Sequence, residues 1–310
     1  MRRTWARFSF GCACAATGAI AVAFLIHGTL RDRIAGLAIL FYATPWPVIA
    51  LGAALLAVYW ARRGSRAIAG SLAGMAAVAL GLWLCLDWRW NRPAGARGEL
   101  RVVQWNVDRP DWRQEGDMRW LAAQDADVIT IAERQPRKKN TLERWRAAFP
   151  DYQLVPSAGE MLCLVRGEVL SAEEGSLSGH SFRTLIRTRI QNRELTVLQV
   201  DIYGEPTVSR KPPLQALAEM VRQHRSENMI VLGDFNTPMD SILFAPIRAV
   251  AANAFAVAGN GCAATWPMPL PVLSLDQIYT TGRLRAVRCE HMVSWRSDHR
   301  AVEAEFDFTP

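Results

Sequence analysis

The feature that most limits what this chain can fold into lies in its first ninety residues. Three apolar runs, about Phe8–Leu30, Ile34–Trp60 and Ala67–Leu86, contain no Asp, Glu, Lys or Arg and are set apart by arginines. Each is close to the ~20 residues that an α-helix needs to cross a hydrocarbon core of roughly 30 Å. They are apolar all round rather than striped, which argues against a soluble helical bundle. A cleaved signal peptide would account for the first run only; no clear A-x-A site closes it, and two more runs follow. The expectation is a membrane region over residues 1–90 with about three transmembrane helices (8–30, 34–60 and 67–86). Pro45 and Pro47 in TPWP mark either a kink or an interfacial entry within the second. Trp46, Tyr59, Trp60, Trp83, Trp88 and Trp90 fall near the expected ends, as aromatic belts do.

Charge divides the chain at the same place. Residues 1–100 hold eleven Arg, no Lys and three acids (Asp32, Asp87 and Glu99), while the rest has 25 basic against 26 acidic residues. The pI of about 9.4 therefore belongs to the front third. A basic field that would suggest nucleic acid is missing from the remainder. Arg2, Arg3 and Arg7 share one side of the expected membrane with Arg62, Arg63 and Arg66, against Arg31 and Arg33 on the other. That bias places the N-terminus in the cytoplasm and the C-terminal domain outside, although Arg89, Arg92, Arg97 and Arg101 after the third run pull the other way. The three helices are too poor in polar residues for a transporter or channel.

Residues 91–99, with NRPAGARG, read as a linker, and the hydrophobic period changes just after them. Leu100–Val107, Asp127–Ala132, Leu195–Ile202 and Asn228–Leu232 read as strands, and Gly116–Gln124 and Pro213–His224 as helices. Ala301–Phe308 alternates apolar and acidic residues like a last, half-exposed strand. Strands with intervening helices over residues 100–310 suit one α/β domain. The cysteines show no zinc spacing. Cys12, Cys14 and Cys85 lie in apolar runs; Cys163, Cys262 and Cys289 are dispersed, as buried thiols or with Cys262 and Cys289 paired if the domain is outside.

The residues that could carry chemistry gather at strand ends. Asn106 closes RVVQWNV, Glu133 closes DVITIAE, and Asp234 and Asn236 follow MIVLG in GDFN. Asp276 follows LSL, and Asp298 and His299 stand in SDHR before the last strand. Singly, each has a local explanation: a turn amide, a solvated carboxylate, an Asx-turn, a cap. Together they supply oxygen ligands of the kind a hard cation such as Mg²⁺ takes.

In this order, WNV, DVI…E, GDFN, D-x-I and SDH resemble the endonuclease/exonuclease/phosphatase superfamily, also called deoxyribonuclease-I-like, over roughly Leu100–Phe308. The resemblance implies a two-sheet β-sandwich flanked by helices in four layers, with the site at one end of the sheets. It implies that Asn106, Glu133 and Asp298 hold Mg²⁺, with Mn²⁺ an alternative. Asp234 would activate or orient the attacking water, Asn236 would hydrogen-bond a phosphate oxygen, and Asp276 would orient His299 on the scissile phosphate. Two positions depart from the pattern. Asp201, in VLQVDIYGEP, stands where many members have a histidine, and is a candidate substrate or metal contact, with Arg210 a cation it could position; a structural turn carboxylate is an equal reading. Gln277 stands where His or Arg often follows the Asp, and reads as tuning of the site. Arg137–Lys139 could steer an anion, against the commoner reading of a solvated loop; Arg183, Arg187 and Arg189 read as solvent-facing, and Trp266 as core packing, with stacking on a ligand the less favoured alternative.

The expected function is a membrane-embedded, metal-dependent phosphoesterase acting on a phosphodiester or phosphomonoester, with a lipid headgroup as the favoured partner. A nuclease acting on DNA or RNA, and a catalytically silent binding module, are the alternatives.

Overall fold

A computed structural model describes residues 2–90, 97–109, 114–134 and 141–309, except for the side chains of Arg2, Arg3, Thr4, Ala6 and Gln114. Most of the expected linker and the Arg137–Lys139 run lie outside the described residues. The chain divides into two compact units, Met1–Trp88 and Arg89–Pro310.

In the first unit, helix α1 (Arg2–Leu25) runs on through a π-turn at Ile26–Leu30, followed by α2 (Ala35–Ala43), α3 (Trp46–Arg62) and α4 (Arg66–Leu86). The segments Arg7–Leu30 and Arg66–Leu86 are each long and apolar enough to cross a membrane. The second expected span is broken: α2 and α3 meet at 66°, and count as a third crossing only if taken together. Pro45 caps α3 and Pro47 occupies its first turn, and a residue before proline avoids helical geometry, so the helix stops at Thr44. Large apolar side chains in this unit lie outside as well as in its core, where Phe41, Ile49 and Trp60 are buried. Small residues such as Ala53, Ala57 and Ala69 face inward, while Leu51 and Leu55, both 63% exposed, face out. Small residues at helix contacts let apolar helices approach closely.

The second unit holds two mixed six-stranded sheets. After β1 (Trp88–Trp90), which begins on the last residue of the first unit, its strands are β2 (Leu100–Asn106), β3 (Val128–Ala132), β4 (Gln153–Ser157), β5 (Met161–Val165), β6 (Glu168–Ser178), β7 (Ser181–Ile190) and β8 (Arg193–Asp201). They continue with β9 (Met229–Asp234), β10 (Ala252–Asn253), β11 (Asn260–Cys262), β12 (Asp276–Thr280), β13 (Leu284–Met292) and β14 (Ala301–Phe308). One sheet has the order β10-β12-β9-β8-β7-β6 and the other β13-β14-β2-β3-β5-β4; β1 and β11 belong to neither. Helices α5 (Gln114–Ala122) and α6 (Thr141–Ala148) cover the second sheet, and α7 (Lys211–Gln223) the first.

The central strands β2, β3, β5, β9 and β12 are buried on both faces, which explains their near-continuous apolar runs. In β2, Leu100 and Val102 join the core between the sheets, whereas Val103 and Trp105 pack with the helices. In β9, Ile230 and Leu232 face the other sheet, and Met229 and Val231 face α7. Side chains alternate with a period of two, so Asn106, Asp234, Asp276 and Asp201 take the inter-sheet parity of Val102, Ile230, Ile278 and Val197. The site forms where the inter-sheet core changes from apolar to polar.

Two strand expectations need correction. Asp276 opens β12 instead of following a strand, although antiparallel pairing with Asp234 still brings it to the same sheet end. β14 is not half-exposed. It lies between β13 and β2, and its buried Glu303 and Glu305 pair with Arg101, Glu305 also with Arg288. Acidic residues there are buried against half-buried arginines instead of facing water. Cys262 and Cys289 are not joined by a disulfide.

Candidate active site

Pairing between neighbouring strands fixes the centre. Asp234 lies opposite Asp276 on β12 and opposite Asp201 on β8, so three carboxyls stand side by side along one sheet end. From the facing sheet, Asn106 donates its amide N–H to Asp234 Oδ2 at 2.9 Å and accepts from the Asp108 backbone N–H at 3.0 Å. The Asn236 backbone N–H donates to Asp234 Oδ1 at 2.8 Å. Both oxygens of this buried carboxyl are therefore fixed before any substrate arrives.

His299 completes the group. Its Nδ1 lies 2.7 Å from Asp276 Oδ2 and its Nε2 4.0 Å from Asp234 Oδ2. Ser297 anchors the loop, donating its hydroxyl to the Asn106 carbonyl at 2.7 Å and accepting from the His299 backbone N–H at 3.0 Å. The Trp105 indole donates to the His299 carbonyl at 3.2 Å. Removing that hydroxyl leaves two buried backbone groups without it. We expect Ser297→Ala to cost about 1–3 kcal/mol, read as a lower urea midpoint at unchanged slope.

The electrostatics follow from this packing. Burial works against a charged His299, but Asp276, through its charge and hydrogen bond, with Asp234 and Asp298 behind it, lifts the imidazole to about 10. Burial and then the Asp276 carboxylate push Asp234 up to about 6, against the pull of His299, Asn106 and the Asn236 N–H. Asp201 keeps a little surface at the mouth of a cavity but is otherwise surrounded by protein. Burial, then Asp234 and Glu133, hold it well above the usual carboxylate range, with Arg109 opposing.

Glu133 and Asp298 lie outside the hydrogen-bonded centre. Glu133 is bound by Arg109, which also holds Glu160 at 2.7 Å. Asp298 is 44% exposed at its side chain, with Oδ1 4.0 Å from His299 Nε2 and Oδ2 accepting the Trp266 indole N–H at 2.8 Å. Trp266 therefore holds a site carboxylate, beyond the packing role expected. Glu133, Asn236, Asp108 and Arg109 all carry positive φ, a strain that concentrates where loops are held for function.

Other expectations fall elsewhere. Arg210 donates to the carbonyls of Asn236, Glu205 and Val208; it shapes the GDFN loop, and the cation beside Asp201 is Arg109. Gln277 turns away from Asp276 by strand alternation. Its amide donates to the Thr237 and Ser274 carbonyls, and its oxygen accepts from Tyr279 at 2.7 Å, so it braces the loop and does not tune the site. Arg183 pairs with Glu173 and is largely covered, at 13% exposed.

Ligand atoms of the buried Asp234, Asp276 and His299 lie within 4.8 Å of one another, close enough to hold a metal ion. Two further observations fit a divalent cation with oxygen ligands: the crowded carboxyls raise one another's proton affinity, and the buried Asp276 Oδ1 has no hydrogen-bond partner among the described residues.

The model of the Endonuclease/Exonuclease/phosphatase family matches residues 103–299. Among solved structures, the endonuclease/exonuclease/phosphatase from Bacteroides vulgatus is similar, with a TM-score of 0.56 at 18% identity over 68% of this chain and 99% of that one. The mannosyl-6-phosphatase of Bacteroides thetaiotaomicron gives 0.54 at 14% identity, covering 68% and 100%. D. rerio TDP2, complexed with a single strand DNA product, gives 0.56 at 14%, covering 67% and 98%. No curated protein matches the sequence. At these identities the structures speak for the fold alone.

Proposed function

The chain belongs to the endonuclease/exonuclease/phosphatase family, and from that premise we propose that it is a membrane-anchored, metal-dependent phosphoesterase acting on a lipid headgroup. The observation that carries this reading is the buried Asp276–His299 pair at 2.7 Å, with the His299 Nε2 turned towards Asp234. Phosphoryl transfer needs position and charge neutralisation more than covalent chemistry. An imidazolium held by a carboxylate supplies a fixed positive donor for a phosphoryl oxygen. Asp234, raised towards neutrality, is suited to accept a proton from water and to orient it. Asn236 lines the adjoining cavity and, after its bond to the Ile202 carbonyl, keeps a second amide N–H for the phosphate.

We assign Mg²⁺ or Mn²⁺ to Asn106, Glu133 and Asp298, as the family resemblance implies, with the buried carboxyls of Asp234 and Asp276 as neighbours that could share the ion; a protonated His299 offers no lone pair to a metal. The ion would polarise the phosphoryl oxygen and steady the leaving oxygen.

The lipid assignment rests on two features. Helices suited to a membrane belong to the same chain, and the catalytic unit has no basic field to gather a polyanion. Full-length protein in detergent should hydrolyse bis-(p-nitrophenyl) phosphate and phospholipid vesicles with Mg²⁺ or Mn²⁺, lose both activities to a chelator, and leave single-stranded DNA intact. Cleavage of DNA without lipid turnover would replace the lipid reading by a nuclease; no turnover of any substrate would leave a silent binding module. The six-to-two arginine bias favours the reading that the catalytic unit lies outside the cytoplasm. Protease added to intact cells should then digest it, and full protection would reverse that placement.

A further inference from the structure

A cavity of about 590 Å³ opens beside the catalytic centre, sharing Glu133, Asp201 and Asn236 with it. Its walls combine two chemistries. Glu133, Glu160, Asp201 and Glu205 supply four carboxyls. The only arginine lining it, among the described residues, is Arg109, whose guanidinium is bound by Glu133 and Glu160. The Asp201 side chain, half-buried at the cavity, has no hydrogen bond to a described residue. The second chemistry is aromatic. Phe182 lies directly opposite Asp201 across the β7–β8 pair, so the two side chains share a face. Tyr203, 41% exposed, leans on His180 with ring centroids 5.3 Å apart.

Carboxyls and aromatic faces together oppose an anion and favour a cation. A flanking phosphate would meet carboxylates whose one guanidinium is already engaged. A bare apolar group would leave Asp201 unsatisfied. An ammonium group meets both needs: carboxylates neutralise it, and the ring of Tyr203 attracts it through its quadrupole. We propose that this cavity binds the cationic headgroup of the substrate, so that the enzyme selects phosphoesters of an ammonium alcohol. Tyr203 and Glu205 are then specificity residues, standing apart from the groups that handle the phosphate. This inference rests on the phosphoesterase reading for its meaning but not for its test.

The first arm compares two esters with the same leaving group, p-nitrophenyl phosphorylcholine and bis-(p-nitrophenyl) phosphate, on full-length protein. KM for the choline ester should be about tenfold lower, and Tyr203→Ala or Glu205→Gln should raise it about tenfold while leaving the ester that lacks an ammonium group within about twofold. Equal KM values, or variants that move both esters alike, would overturn the proposal. The second arm needs no turnover. Choline should bind the wild-type protein by calorimetry, about tenfold more tightly than its uncharged dimethylbutanol isostere, and Tyr203→Ala should lose that difference. If neither ester is hydrolysed, the phosphoesterase reading fails, and the choline titration alone then decides the cavity. Equal binding of the two alcohols, or none, would overturn the cation site.

Discussion

Replacing His299 by alanine is expected to lower kcat by about 10²–10³-fold, the range seen when one fixed donor to developing charge is removed. The expectation comes from how this ring is held. Asp276 takes Nδ1 at 2.7 Å, Ser297 and Trp105 hold the backbone on either side, and the ring is only 6% exposed. No neighbouring side chain can swing in to replace a group so enclosed. Asp276→Asn should give a smaller loss, because the amide can preserve the ring orientation but removes the charge that keeps the proton on the imidazole. KM for a generic aryl diester should change less than kcat in both variants, since the donor matters most as charge develops. A His299→Ala enzyme within about twofold of wild type would remove His299 from the chemistry.

The second large effect is on folding. Gly233 precedes Asp234 in β9 with φ of +152°, and a Cβ there would lie 1.8 Å from the Val200 carbonyl oxygen. That oxygen belongs to β8, the parallel partner that brings Asp201 beside Asp234. Alanine can be accommodated only by separating two central strands. Gly233→Ala should therefore cost at least about 3 kcal/mol, seen as a lowered thermal midpoint or loss of folded protein. Gly204→Ala provides the contrast. Its Cβ would meet the Asn236 side chain at 3.0 Å, which a small shift relieves, so the fold should survive. A Gly233→Ala protein as stable as wild type would mean that the close β8–β9 approach is not required.

The strand ends could be read from the sequence because polar residues interrupt apolar strands at one parity. Asn106 ends VVQWN and Asp234 ends IVLGD, and such breaks in local pattern are visible in a few residues. What remained hidden depends on partners distant in the chain. Arg109 and Glu160 come from a loop and a tight turn without periodic signal, and only folding brings them together at 2.7 Å. Gln277 looked like a site residue because it follows Asp276, but alternation sends consecutive side chains to opposite faces. The acidic alternation of β14 suggested water, because the arginines that neutralise Glu303 and Glu305 lie on β2 and β13. The break at Thr44 was signalled by TPWP; the 66° angle it produces depends on packing.

The central claim is that this polar sheet end hydrolyses phosphoesters with a bound divalent cation. Its most direct test is the release of p-nitrophenol from bis-(p-nitrophenyl) phosphate by full-length wild-type protein and by Asp234→Asn, side by side, with Mn²⁺ and with chelator. The account predicts turnover by the wild type that the chelator removes and the metal restores, with Asp234→Asn slower by about 10²–10⁴-fold. Equal rates in the two proteins, or turnover indifferent to chelator, would contradict it.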